Sequence, residues 1–271
     1  MRLVVTGAGG MLGSDVMRAA PDAVGLARED LDVTDAQACR RALRGAGAVI
    51  NCAAWTDVDG AEAQEETAAG VNGEGAGNVA RAAAEAGAVV VHVSTDYVFD
   101  GRASSGYSVS SPAAPLSAYG RTKLAGERGM LAVPRTHVAR TSWLFGVGGA
   151  NFVETMLRLG AERDAVTVVD DQVGAPTATA HLAPALLELL GSGSFGLHHL
   201  PAGGSCSWWE FAREIFARAG VDCEVRRGRT AELARPAPRP ACSILHPAPG
   251  DPRLPHWREG LGEYLAARVV A

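Results

Sequence analysis

Cysteine is scarce in this chain of 271 residues. The five thiols are Cys39, Cys52, Cys206, Cys223 and Cys242, an odd number with no C-x-x-C pair. That argues against a disulfide framework and a structural zinc site, and it fits a reducing cytoplasm. A surplus of positive charge is also missing. The 25 Lys and Arg are outnumbered by 30 Asp and Glu, a formal charge of −5. Nucleic acid and anionic membrane are therefore not expected partners. No apolar run reaches the ~18 residues needed to span a bilayer. Met1-Arg2 leads directly into a strand-like run, which leaves no room for a signal peptide.

What is present is a globular composition, 47% hydrophobic and 20% charged. The length allows one large domain or two unequal ones. Short apolar runs at 2–6, 23–27, 48–52 and 88–94 read as strands. Helical patterns at 12–20, 35–43 and 65–86 separate them. Such alternation predicts an α/β fold, a doubly wound parallel sheet with helices on both sides. Further strands are predicted at 136–140 and 165–169. Past Asp170 the elements shorten, and half of the fourteen prolines fall between Arg235 and Pro255. This reading divides the chain at residue 169, with a dinucleotide-binding domain before it. Residues 170–271 form a smaller, mainly substrate-binding region, and the chain is free to cross between the two.

Three features carry chemistry. Gly7, Gly10 and Gly13 stand in a GxxGxxG pattern between the first strand and the first helix. The first glycine permits a tight turn, the second a close approach to pyrophosphate, and the third close helix–strand packing. The helix N-terminus then presents N–H groups and a positive dipole end to phosphate. About twenty residues on, Arg28 marks the end of the second strand. An arginine there suits a 2′-phosphate, which points to NADPH over NADH. Finally, Tyr119 and Lys123 share a helix face at i and i+4. A fixed cation near a phenol favours the phenolate, so the pair is a candidate proton-transfer device, although the spacing alone fits a half-buried Tyr beside a solvated Lys better. Thr95 ends the fourth strand, where ligands collect in open parallel sheets. Its hydroxyl either bonds a substrate carbonyl or satisfies nearby backbone. Strand alternation turns its neighbour Ser94 the opposite way.

Longer runs make the reading specific. They include Asn51-Cys-Ala-Ala-Trp-Thr-Asp-Val-Asp59, Ser94-Thr-Asp-Tyr-Val-Phe99 and Tyr119-Gly-Arg-Thr-Lys-Leu-Ala-Gly-Glu127. Asp171-Gln-Val-Gly-Ala-Pro-Thr177 and Ser207-Trp-Trp-Glu-Phe211 follow. Together with the glycine turn they resemble the dTDP-4-dehydrorhamnose reductase family, extended short-chain dehydrogenases/reductases, over nearly the whole chain. The resemblance implies a Rossmann-like fold and a catalytic set of Thr95, Tyr119 and Lys123. It implies cofactor contacts from Gly10, Met11 and Leu12, from Asp32 and Val33 at the adenine, and from Ala53, Ala54 and Thr56. It implies nucleotide-sugar contacts from Thr95, Asp96 and Trp143. For Asp32 the alternative is a helix cap, and for Trp143 a place in the core.

The implied reaction is NAD(P)H-dependent reduction of the C4 keto group of a dTDP-4-keto-6-deoxyhexose. The alternatives are a related ketoreductase or synthase for an antibiotic sugar, or a non-catalytic nucleotide-binding subunit. The chain departs from the family at Val109 and Cys242. Asp15 matches one of the acidic residues that hold Mg2+ between subunits in some members, but Ala266-Ala267 offers no second carboxylate. No metal site is assigned, and a monomer or a homodimer is expected.

Overall fold

Valine-rich runs bounded by turn residues become parallel strands in this computed structural model, which describes residues 1–270. The first part alternates β1 (Leu3–Thr6), α1 (Met11–Ala19), β2 (Val24–Leu26), α2 (Ala36–Leu43) and β3 (Ala48–Asn51). Helices α3 (Val58–Ala63), α4 (Glu65–Ala69) and α5 (Ala76–Glu85) precede β4 (Val89–Thr95). Helix α6 (Ala118–Leu131) leads into β5 (Thr136–Thr141). Then follow β6 (Leu144–Phe145), α7 (Phe152–Glu162), β7 (Ala165–Val169), β8 (Val173–Gly174), β9 (Thr177–Ala178), α8 (Thr179–Gly191) and β10 (Gly196–His199). The chain ends with β11 (Cys206–Ser207), α9 (Trp208–Ala219), β12 (Glu224–Gly228) and α10 (Trp257–Val270).

Six strands form one parallel sheet in the order β10-β5-β4-β3-β1-β2. Its register follows from the period of two. Val4, Val49, Val90 and Val138 face one apolar cluster, with Leu43, Val79, Ala83 and Met130 from α2, α5 and α6. Their neighbours Val5, Ile50, Val91 and Ala139 face the other, with Val16 of α1 and Leu182, Leu186 and Leu189 of α8. Each fully buried Val, Leu or Ile contributes roughly 1.5–3 kcal/mol. A slip of one residue would exchange the two faces, so the register is strongly specified. The fold class is thus a Rossmann-like, doubly wound α/β sheet. Strand order reverses between β1 and β3, and the ligand crevice of such sheets lies at that point.

The helix expected over 65–86 is interrupted. Gly70–Gly75 widens into a π turn between α4 and α5. The buried Asn72 explains the break. Its amide accepts from Trp55 N at 2.8 Å and donates to Trp55 O at 3.1 Å and Thr122 Oγ1 at 3.0 Å. One residue thereby ties the loop after β3 to α6. Gly126 lets α6 come this close, since a Cβ there would lie 2.1 Å from the Asn72 carbonyl.

A second core holds Phe145, Phe211, Phe216 and Trp257, with β7 paired to β12. Residue 169 does not separate the two cores. Helix α7 and β7, before it, contribute Val153, Met156, Val166 and Val168 to the second core. Helix α8 and β10, after it, return to the main sheet. The proline-rich segment is ordered because it lies along the loop after β4. Cys242 N donates to Gly101 O at 3.0 Å and Tyr107 N to Ile244 O at 2.8 Å. Tyr107 anchors that loop by stacking on Phe99, 4.2 Å between centroids. No described helix is long and apolar enough to cross a membrane.

Candidate active site

The crevice begins at the glycine turn. Gly7 has φ +68°, and a Cβ on it would lie 2.6 Å from Ala53 N. A Cβ on Gly13 would lie 2.1 Å from Gly7 O. Both positions exclude any larger residue, and they bring the ends of β1 and β3 against the start of α1. Helix α1 has Gly10 at its N-cap and no side-chain cap. Its first N–H groups, from Met11 and Leu12, are therefore available to an anion. The Leu12 side chain is buried in the core, so only its backbone serves the crevice. This cradle, closed to side chains and lined with donors, fits a dinucleotide pyrophosphate.

Arg28 is exposed at the end of β2. Asp32 is also exposed and accepts from Thr34 N at 2.9 Å and Thr34 Oγ1 at 2.7 Å. These bonds hold its carboxyl below the ordinary value. Asp32 does not cap α2; Asp35 does, accepting from Gln37 N and Ala38 N. Val33 is buried beside Gly75. Ala53, Ala54 and the exposed Thr56 line the loop after β3, which Asn72 holds through Trp55. A further clamp joins the strand ends: Thr6 Oγ1 donates to Asn51 Oδ1 at 2.5 Å, and Asn51 meets His92 at 2.9 Å.

Tyr119 and Lys123 both lie on α6, whose N-cap Ser117 accepts from Gly120 N. Lys123 Nζ donates to Val93 O on β4 at 2.7 Å. Burial brings its pKa down to about 8, against an opposing pull from Glu127. The expectation that Lys123 lowers the Tyr119 phenol is not met. Burial pushes that phenol above its ordinary value, and the opposing pull comes from the Thr95 hydroxyl. Lys123 turns its ammonium to Val93 O and is not among the groups acting on the phenol, so spacing along the helix reports neither the direction of the ammonium nor the loss of water. The sequence carried one further signal: Lys123 is the only lysine among 271 residues, and it is 2% exposed.

Thr95 closes β4 beside the phenol. Its hydroxyl donates to Asp96 Oδ1 at 3.0 Å and accepts from Tyr97 N at 3.1 Å. Ser94 points to the other side and donates to Glu127 at 2.6 Å. Asp96 is buried, its Oδ2 has no hydrogen-bond partner among the described residues, and burial lifts its carboxyl to about 6. Ser243, from the proline-rich segment, adjoins it and pulls the other way.

Trp143 continues this wall. It is half-buried with φ +48°, a left-handed conformation that a bulky residue rarely adopts. Gly174 lies against it, since a Cβ there would be 2.5 Å from the indole and 2.8 Å from Ser243 Oγ. The topology thus brings Thr95, Asp96, Tyr119, Lys123 and Trp143 to one side of the crevice. Arg28 follows Ala27, whose Cβ lies 3.4 Å from a Cβ built on Gly9 in the glycine turn.

Two neighbours were not foreseen. Trp208, at the start of α9, lies flat on Trp143. Tyr97 meets Tyr119 edge to face, with centroids 5.7 Å apart. Arg239 adjoins Tyr97 and grips Asp59 with two nitrogens, at 2.8 and 2.9 Å. That grip holds the Asp59 carboxyl down to about 2. Among the described residues, no group of three or more His, Cys, Asp or Glu is placed to hold a metal. Asp15 is buried and engaged by Thr179 and Arg18.

Comparison with known proteins gives one answer. A family model described as the RmlD substrate binding domain matches residues 1–270. A dTDP-4-dehydrorhamnose reductase from Streptomyces griseus is 43% identical, over 98% of this chain and 93% of that protein. A probable dTDP-4,6-dihydroxy-2-methyloxan-3-one 4-ketoreductase from Streptomyces antibioticus is 42% identical, over 97% and 94%. The crystal structure of dTDP-4-dehydrorhamnose reductase from Bacillus anthracis, in complex with NADP, superposes with a TM-score of 0.95. It is 37% identical and covers 98% of this chain and 99% of that one. With the same fold and near-full-length matches, the chain belongs to the dTDP-4-dehydrorhamnose reductase (RmlD) family.

Proposed function

We propose that this chain reduces the C4 keto group of a dTDP-4-keto-6-deoxyhexose with NADPH, converting dTDP-4-dehydro-L-rhamnose to dTDP-L-rhamnose. The observation that carries the reading is the convergence of Thr95, Tyr119 and Lys123 at the end of β4, beside the glycine cradle. The family resemblance and the NADP complex of the Bacillus anthracis relative support it. When bound, the nicotinamide supplies the hydride, and the chain supplies position and protons.

Gly7, Gly10 and Gly13 admit the pyrophosphate, and Met11 and Leu12 offer N–H groups to it. Asp32 and Val33 border the adenine, Arg28 the ribose 2′-phosphate, and Ala53, Ala54 and Thr56 the remaining length. Tyr119 gives its phenolic proton to the C4 oxygen. A phenol held above its ordinary pKa stays protonated until the oxygen demands the proton, which suits reduction. Lys123 stabilises the phenolate left behind. Thr95 has one O–H, now given to Asp96, so it turns from Asp96 to donate to the C4 oxygen. Asp96 and Trp143 hold the sugar. The enzyme works in the cytoplasm, as a monomer or homodimer.

The test is NADPH oxidation with dTDP-4-dehydro-L-rhamnose, followed by NMR of the product. Stoichiometric formation of dTDP-L-rhamnose is expected. Absence of NADPH consumption would remove the assignment. One specific observation favours a second reading: Val109 and Cys242 depart from the family pattern, and Cys242 lies near the site. Cys242 pairs with Val173, next to the Gly174 that touches Trp143. Reduction of a different dTDP-4-keto-sugar, at a higher kcat/KM and with a different product stereochemistry, would select it.

A further inference from the structure

Behind the proposed proton donor lies a buried charge cluster that no step above uses. Glu127 stands one turn beyond Lys123 on α6 and is 1% exposed; Arg140 on β5 is 3% exposed. Arg140 donates to both Glu127 oxygens, from Nε at 2.8 Å and Nη2 at 2.6 Å. Ser94 adds a third bond at 2.6 Å. Lys123, four residues away, donates to the Val93 carbonyl instead. Two buried cations therefore face one buried carboxylate, and the bidentate geometry gives that carboxylate to the arginine.

The surrounding groups leave Glu127 as the anion that Lys123 feels. Cys52, at the end of β3, has its thiol pushed up to about 12 by burial. His92 on β4 is kept neutral by burial and by Lys123 itself. The Tyr119 phenol is held protonated. On the far side, Arg140 lies 5.0 Å from the Phe99 ring centroid. There it faces His199 of β10, brought down to about 4 by burial and then by Arg140.

We propose that Glu127 is a positioning residue that sets the protonation of Lys123, and that Arg140 and Ser94 set how much of its charge reaches the ammonium. The proposal rests on Lys123 being the partner of Tyr119, and it deepens that reading. A helix-to-sheet staple would need only the Glu127–Arg140 pair. The Ser94 bond and the placement of Glu127 one turn from Lys123 add a graded control.

The sole lysine makes the test direct. Protein labelled with [13Cε]lysine gives a single side-chain lysine resonance, and its pH titration needs neither assignment nor substrate. Glu127→Gln should lower the midpoint by about one pH unit, because Lys123 loses its anion. Arg140→Met should raise it by about as much, because Glu127 turns to Lys123. The double variant should return toward the wild-type midpoint. Ser94→Ala strands no charge, keeps the fold testable and should give a smaller upward shift. Shifts of the same sign in both charge variants, or an unmoved midpoint in Ser94→Ala, would overturn the proposal. Keto-sugar turnover on the same samples separates the two readings. If wild-type protein reduces no sugar yet the midpoints move as stated, the tuning stands and the reductase assignment falls.

Discussion

The indole of Trp143 lies flat on that of Trp208, with centroids 3.6 Å apart and planes within 5° of parallel. Trp143 holds φ +48°, a conformation that costs about 1–2 kcal/mol for a residue with a Cβ. An aromatic stack of this kind returns about 0.5–1.5 kcal/mol. Trp208 is itself fixed by the capping box of α9, in which Ser207 and Glu210 bond each other's backbone. The stack therefore holds Trp143 in a geometry it would otherwise leave. Trp208→Leu should raise the keto-sugar KM about fivefold to tenfold and leave the NADPH KM unchanged. Trp208→Phe should retain most of the affinity. Equal rises in both KM values would mean that Trp208 supports the fold at large and not the sugar.

Tyr119→Phe removes one oxygen and keeps the ring against Tyr97. General acid catalysis contributes about 10²–10⁴-fold. kcat should fall by that factor, while the NADPH Kd, read by fluorescence titration, stays put. Turnover near the wild-type level with a keto-sugar would place the proton donor elsewhere.

Local patterns made the sheet readable in advance. Val4 and Val5, or Val90 and Val91, alternate between faces because strand geometry alone dictates it. The π turn was not readable, because the partners of Asn72 lie 17 and 50 residues away. The stack of Trp208 on Trp143 joins residues that share no local pattern. Leu182, Leu186 and Leu189 read as an apolar helix face but do not say which core they cover. The direction of the Tyr119 shift depended on burial, which an i, i+4 spacing does not report.

Asp96 makes stability pH-dependent in an unusual sense. Burial lifts its carboxyl from 3.8 to about 6, so the folded protein holds this proton more tightly than the unfolded chain. The resulting stability is fully present below the unfolded value and is lost as pH rises through about 6. Asp96→Asn stays neutral throughout. The unfolding free energy of wild type minus that of Asp96→Asn should fall by roughly 2–3 kcal/mol between about pH 4 and pH 7. Urea midpoints at a series of pH values measure it. A difference that stays flat, or rises with pH, would mean that the folded protein does not favour the protonated carboxyl.

Arg28 decides the cofactor prediction. It is exposed at the end of β2 and makes no salt bridge among the described residues. Its charge reaches Asp32, yet the Thr34 bonds to Asp32 are the larger influence on that carboxyl. A ribose 2′-phosphate would meet a guanidinium free to turn toward it, whereas a free 2′-hydroxyl offers it no charge to pair with. Arg28→Ala should therefore raise the NADPH KM about tenfold, the loss of one charge-assisted hydrogen bond, and change the NADH KM little. Because the site is open to solvent, the wild-type preference for NADPH should shrink as salt is raised. The variant should show little of that salt dependence. Equal rises for the two cofactors would take Arg28 out of the selection.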